Sequence, residues 1–319
     1  MVDAEQSLDE TLAASLLPER DVRGHKGTFG RVLAVAGSLD YAGAALMAGS
    51  AALRAGAGLV TLCVPASVQP SLAGRVPELI TMALPEFAPG ELDAAAAAAD
   101  ISEQGQDALL IGPGLRRGAA TNKLVATLLA LPGAPASVDA GALDALAAMP
   151  GWRDRLRRKC VLTPHPGEFR RLGAEPGSSD AERRTAALEA AAAWGQVVVL
   201  KGACTVVAAP GGRVMVAPFS LPALATAGSG DILAGVIASL MAQGLEAFEA
   251  AALGVFLHGS AGKNLSERLG DAGLMATDLL PEIPRVRRHL DRIRQRDPGA
   301  RLGSEAPPPA AGQTRRSTA

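Results

Sequence analysis

The feature that most limits what this chain can fold into is a recurrence. Short aliphatic runs without polar alternation each end in glycine, proline or a single polar residue. Arg31-Val32-Leu33-Ala34-Val35-Ala36-Gly37-Ser38, Leu59-Val60-Thr61-Leu62-Cys63-Val64-Pro65 and Asp107-Ala108-Leu109-Leu110-Ile111 follow this pattern. So do Ala136-Ser137-Val138-Asp139-Ala140, Cys160-Val161-Leu162-Thr163-Pro164 and Val197-Val198-Val199-Leu200-Lys201-Gly202, with a shorter run over 79–84. Runs of this character are strands buried on both faces, as in a parallel sheet. Helix-favouring segments separate them: small residues from Tyr41 to about Ala57, the alanine tract 94–99, and residues 119–130 and 180–194. Strand and helix in alternation predict an α/β domain with right-handed crossovers. Residues 205–208 and 213–217, turning at Pro210-Gly211-Gly212, read as an antiparallel hairpin at one edge. Helices are expected after Asp231, over about 246–268 and near 278–295.

No linker or repeat divides the body, so residues 1–297 are read as one domain. From Pro298 the proline-rich sequence has no apolar period, and 298–319 is expected to be a disordered tail. Hydrophobic residues make up 48% of the 319 but aromatics only 3%, so the core is built from aliphatic side chains and close backbone approaches. A net charge of −1 points to neither nucleic acid nor an acidic membrane surface. Arg285-Val286-Arg287-Arg288 is read as a solvated helix face. Cys63, Cys160 and Cys204 are widely spaced, which argues against a disulfide framework or a zinc site and for a reducing cytoplasm. The acidic N-terminus lacks a signal core, and no run is long and apolar enough to span a membrane.

In a parallel sheet the loops after the strands emerge on one edge, where ligands bind. Gly37-Ser38, Gly112-Pro113-Gly114, Asp139, His165-Pro166-Gly167-Glu168 and Lys201-Gly202 therefore share an edge. Ala225-Thr226-Ala227-Gly228-Ser229-Gly230-Asp231 precedes the helical run from Ile232. Glycines 228 and 230 permit a tight turn with positive φ and bring N–H groups to a helix N-terminus, which suits a phosphate. Asp231 stands beside that anion site as a general base, or is simply a first-turn acid. Lys201 balances phosphate charge, or is a strand-end lysine reaching solvent. Asp139 caps the next helix, or binds a metal directly or through water. His165 is a binding residue or a structural one, and Glu168 an acid at a helix start. GxxxxGK[ST], GxGxxG opening a helix, and a nucleophile elbow are all absent.

Taken in order, six motifs resemble the ADP-dependent NAD(P)H-hydrate dehydratases of the ribokinase-like superfamily. They are His25-Lys26-Gly27 with Gly30, Ala36-Gly37-Ser38, Gly112-Pro113-Gly114-Leu115, Thr163-Pro164-His165-Pro166-Gly167-Glu168, Leu200-Lys201-Gly202-Ala203 with Thr205, and Ala227-Gly228-Ser229-Gly230-Asp231-Ile232-Leu233-Ala234-Gly235. The resemblance covers about residues 20–265. It implies a repair lyase that restores NADH and NADPH from their S hydrates, using ADP as co-substrate and Mg²⁺ to bridge its phosphates. It implies that Asp231 is the catalytic base. Gly43, Ala44, Gly114, His165 and Asp231 would line the hydrate site. Lys201, Gly202, Ala203, Cys204, Thr205, Gly228, Ser229 and Gly230 would contact the nucleotide. A homotetramer and a separate epimerase for the other stereoisomer are further expectations of the resemblance. The rival is a ribokinase-like kinase for a small alcohol or vitamin precursor, which would release a stable phosphate ester. A catalytically silent nucleotide-binding module would have no need of Asp231.

Overall fold

The computed structural model describes residues 6–296. The expected tail at 298–319 lies outside the described residues. The strands are β1 (Gln6–Ser7), β2 (Arg31–Val35), β3 (Leu59–Pro65), β4 (Ile80–Leu84), β5 (Glu86–Ala88), β6 (Glu91–Leu92), β7 (Ala108–Ile111), β8 (Ala136–Val138), β9 (Cys160–Leu162), β10 (Val197–Leu200), β11 (Val206–Ala208) and β12 (Val214–Val216). Ten of them form one sheet in the order β1-β12-β11-β10-β9-β8-β7-β2-β3-β4, while β5 and β6 pair separately.

From β10 to β4 every neighbouring pair is parallel. β11 runs antiparallel to β10 and β12, which makes the expected hairpin. The short β1 adds outside it, parallel to β12. Neither β1 nor the β5–β6 ribbon was expected, because two- and three-residue pairings carry no periodicity for a sequence to show.

Consecutive strand residues feed opposite cores, as a period of two requires. Val32, Ala34 and Ala36 belong to one buried cluster, Leu33 and Val35 to the other. The first cluster takes in the helices Ala42–Arg54, Ser229–Ala242, Ala247–Leu269 and Leu279–Arg296. Its small residues let two helices approach closely: a Cβ on Gly235 would lie 2.1 Å from the Ala48 carbonyl oxygen. The second cluster holds both tryptophans, with Trp194 in edge contact with Trp152 at 5.4 Å and tilted against Phe169 at 5.3 Å.

The loops at the carboxyl ends of β7 and β8 are pressed together. A Cβ on Gly112 would meet the Asp139 carbonyl oxygen at 1.7 Å, so only glycine fits there. Ala140 sits at φ 47°, a region most non-glycine residues avoid and one that recurs where function over-determines the backbone. These constraints fix where Asp139 stands.

Candidate active site

Three strand ends converge on one carboxylate. Thr163, after β9, donates through Oγ1 to Asp139 Oδ1 at 2.8 Å. Lys201, after β10, donates through Nζ to the same oxygen at 2.7 Å. Glu168 Oε2 lies 3.8 Å from Nζ. The Asp139 side chain is 2% exposed and that of Lys201 19%. Burial opposes the lysine's charge, but Asp139, Glu168 and Asp231 outweigh it and hold the ammonium above its ordinary pKa. Lys201 therefore points into the edge of the sheet and does not snorkel to solvent. The capping role for Asp139 is not what the structure shows. The helix Gly141–Ala147 has Ala140 at its N-cap and no side-chain cap hydrogen bond. A buried acid with a lysine in reach takes the ion pair, because leaving either charge unpaired costs far more than leaving a helix uncapped.

The helix Ser229–Ala242 begins against this pair. Gly228, at φ 89°, is its N-cap and offers no side-chain cap. The first backbone bond into the helix runs from Ile232 N to Gly228 O at 3.2 Å, and Ser229 N is held by Thr226 O at 3.3 Å. The N–H groups of Gly230 and Asp231 are left without acceptors among the described residues, the arrangement that receives an anion. A Cβ on Gly230 would lie 3.2 Å from Lys201 Nζ and 3.6 Å from Asp139 Oδ2. The positive φ expected at both glycines is present at Gly228 but not at Gly230. Gly230 is helical, and what it contributes is space. On the other side, a Cβ on Gly228 would strike the Met47 sulfur at 2.6 Å.

Asp231 completes the group. Burial first, then the neighbouring charge of Asp139 and the lesser one of Glu168, push its carboxyl up to about 7 against the pull of Lys201. A carboxylate poised at that value exchanges protons near neutrality. Behind it, His258 Nε2 lies 3.0 Å from both the carbonyl oxygen and Oγ of Ser229. A carbonyl only accepts, so Nε2 carries the proton. Burial lowers this histidine to about 4, which keeps it neutral. His258 thus pins the first residue of the helix, a role the sequence analysis missed.

His165 opens the helix Pro166–Arg171 and closes its N-terminus. Its Nδ1 accepts from Gly167 N at 3.0 Å, while His165 N donates to Glu168 Oε2 at 2.8 Å. Burial, with Lys201 and Arg171 nearby, lowers its pKa. With Nδ1 accepting, the neutral ring carries its proton on Nε2, which lies 3.5 Å from Glu168 Oε1.

A cavity of about 520 Å³ is lined by His165, Lys201, Gly202, Ala203, Thr205, Ser229 and Gly230, with Phe219 to Thr226 along one wall. That wall was not singled out from the sequence, since its Pro, Leu and Ala carry no chemical signal. Cys204 is not among the lining residues; its N–H is bonded to Phe219 O at 2.8 Å and its backbone sits at φ 51°. Gly43, Ala44 and Gly114 lie outside this cavity, on a neighbouring shoulder. Gly43 is exposed, Ala44 is buried, and a Cβ on Gly114 would meet Tyr41 O at 2.6 Å and Ala44 Cβ at 2.9 Å.

The mostly parallel sheet with helices on both faces is a fold shared with a solved ribokinase-like protein of Enterococcus faecalis, at a TM-score of 0.75 and 24% identity. The family model for NAD(P)H-hydrate dehydratases matches residues 32–285, and the chain belongs to that family. It is 41% identical over 271 residues to the ADP-dependent (S)-NAD(P)H-hydrate dehydratase of Xanthomonas campestris, covering 85% of this chain and 91% of the relative. It is 46% identical over 293 residues to a bifunctional NAD(P)H-hydrate repair enzyme of Moorella thermoacetica, covering 91% of this chain but 55% of that protein. The chain thus spans about half the length of such bifunctional relatives. The ADP/ATP-dependent NAD(P)H-hydrate dehydratase of Bacillus subtilis, co-crystallised with ATP and Mg²⁺, superposes with a TM-score of 0.78 at 32% identity, over 90% of this chain and 99% of the other.

Proposed function

We propose that this chain dehydrates the S hydrates of NADH and NADPH at the expense of ADP, yielding the reduced dinucleotide, AMP and phosphate. The observation that carries this reading is Asp231, raised to about 7 beside open N–H groups and Lys201. Asp231 takes the proton of the ring hydroxyl as its oxygen attacks the terminal phosphorus of ADP, and AMP departs. The phosphate ester then leaves as phosphate when the C–O bond breaks and the adjacent ring carbon loses a proton, which restores the double bond. Phosphoryl transfer of this kind depends on positioning and on neutralised charge. Lys201, Gly202, Ala203, Cys204 (through its loop backbone) and Thr205, with Gly228, Ser229 and Gly230, hold the nucleotide. Gly43, Ala44, Gly114, His165 and Asp231 receive the hydrate.

A Mg²⁺ ion entering with the nucleotide would supply charge neutralisation at its phosphates. Asp139 is committed to Lys201 and Thr163, and among the described residues no group of three acidic, His or Cys side chains is placed to cage a metal. That fits an ion that enters with the nucleotide and keeps phosphate and water ligands. The reading further places the protein in the cytoplasm as a homotetramer, with epimerisation of the other stereoisomer left to a separate activity. Support comes from three free cysteines, and from a relative named for dehydration alone that aligns over 91% of its length. No helix among the described residues is long and apolar enough to cross a membrane.

The test is to incubate the protein with NADH hydrate and ADP. The expected outcome is recovery of reduced-nicotinamide absorbance with release of phosphate. Asp231→Asn should lower turnover by about 10²–10⁴-fold. A stable phosphorylated product without recovery would favour the kinase reading, and binding without turnover a silent module.

A further inference from the structure

The helix Asp180–Trp194 packs beside β10, and its start is closed by a capping box of Ser179 and Glu182. Arg183 comes next, its N–H donated to Ser179 O at 2.9 Å. From this closed turn its side chain reaches the end of β10. Nη2 donates to Leu200 O at 3.3 Å and to Lys201 O at 3.2 Å. A Cβ on Gly202, which sits at φ 149°, would lie 2.7 Å from Nη2, so the guanidinium rests against the backbone of the loop that follows Lys201. No carboxylate pairs with Arg183 among the described residues. Its charge is directed at carbonyl oxygens.

A trans peptide unit is planar, and its C=O and N–H point in opposite directions. Holding a carbonyl therefore aims the N–H of the next residue. The unit that ends β10 shows this: Leu200 O faces Arg183, and Lys201 N donates to Pro164 O at 2.9 Å. In the next unit Arg183 holds Lys201 O, which turns the Gly202 N–H away from the guanidinium. In the one after, Thr205 Oγ1 holds Gly202 O at 3.0 Å, which aims the Ala203 N–H. The N–H groups of Gly202 and Ala203 have no acceptors among the described residues, and both residues line the first cavity. Arg183 is not among the lining residues, so it acts on that cavity through the loop.

We propose that Arg183 is a positioning residue for the nucleotide: by holding Leu200 O and Lys201 O it presents the Gly202 N–H to an acceptor oxygen of ADP. The proposal rests on the reading of this cavity as the nucleotide site, and its test needs neither hydrate nor turnover. ADP is titrated by calorimetry into wild type, Arg183→Ala and Arg183→Lys. Arg183→Ala should weaken ADP binding about tenfold. Arg183→Lys keeps the charge but replaces the planar fork with a point donor, so it should bind about threefold more weakly than wild type. The ratio of wild-type to Arg183→Ala affinity should be the same at about 0.05 M and 0.5 M salt, because salt screens a half-buried hydrogen bond little. In turnover, KM for ADP should rise by a similar factor, while kcat and KM for the hydrate stay within about twofold. Equal ADP affinity in wild type and folded Arg183→Ala overturns the proposal, whether or not the protein dehydrates anything. So does a ratio that falls to one at high salt, which would make Arg183 a distant charge, or a loss of kcat with KM for ADP unchanged.

Discussion

Two helix starts stand side by side at the carboxyl edge of the sheet, and they treat their N–H groups in opposite ways. The helix Pro166–Arg171 is closed by its own residues: His165 Nδ1 accepts from Gly167 N, and Glu168 returns a bond to His165 N. The helix Ser229–Ala242 begins at a glycine with no side-chain cap, and the N–H groups of Gly230 and Asp231 have no acceptors among the described residues. Both carry an acid in the first turn, Glu168 and Asp231, and burial raises the pKa of both. Glu168 accepts a backbone hydrogen bond that lowers its pKa, whereas no such bond offsets the rise at Asp231. A helix start becomes an anion site when the chain declines to satisfy it, and an acid becomes a base when burial is not answered by donors.

Lys201 links the two helix starts, and its removal should have the largest effect on stability. Lys201→Met leaves Asp139 buried without a counter-charge, which should cost roughly 3–5 kcal/mol in denaturant unfolding. An unchanged midpoint would mean the pair contributes nothing. Gly230→Ala comes next. Its Cβ would sit 3.2 Å from Lys201 Nζ, in space a phosphate needs. Crowding there should weaken ADP binding about tenfold, with melting temperature little changed because Gly230 is helical. Unaltered ADP affinity in the folded variant would remove this helix start as the phosphate site. The smallest effect belongs to the closed helix. His165→Ala loses a cap and should cost about 1 kcal/mol, which His165→Asn should largely restore. If His165 also binds substrate, His165→Ala raises KM for the hydrate more than for ADP. Loss of ADP affinity alone would break the contrast between the two helices.

The aliphatic runs made the sheet legible, because strands buried on both faces leave no room for polar alternation. The hairpin and the long helices followed from glycine turns and apolar spacing. The candidate site was legible as strand-end residues, but their partners were not. Lys201 and Asp139 are 62 residues apart, and nothing local distinguishes a capping aspartate from one awaiting a lysine. The same holds for His258 and Ser229, 29 residues apart. Gly230 shows a second limit. Glycine is needed both for positive φ and for empty space, and the sequence does not say which.

Asp231 also sets a pH dependence whose sign is fixed. Its folded pKa of about 7 lies above the ordinary 3.8, so the native state binds more protons than the unfolded chain between those values. Stability from this group is therefore present below about 3.8 and lost as pH rises towards 7. His258, lowered from 6.5 to about 4, acts oppositely: its contribution is full above 6.5 and lost as pH falls through 4. Asp231→Asn removes the first contribution only. The melting temperature of that variant should gain on wild type as pH rises from about 4 to 7 and then hold level.

The most direct test of Asp231 as the base is the pH profile of kcat/KM for NADH hydrate at saturating ADP. The profile should rise through a single ionisation near pH 7 and level above it, because the base works only once its raised carboxyl has lost its proton. In Asp231→Asn the rate should be about 10²–10⁴-fold lower and that limb absent. A wild-type profile flat from pH 5 to 8, or an Asn variant within about threefold of wild type that keeps the limb, would contradict the assignment and the mechanism built on it.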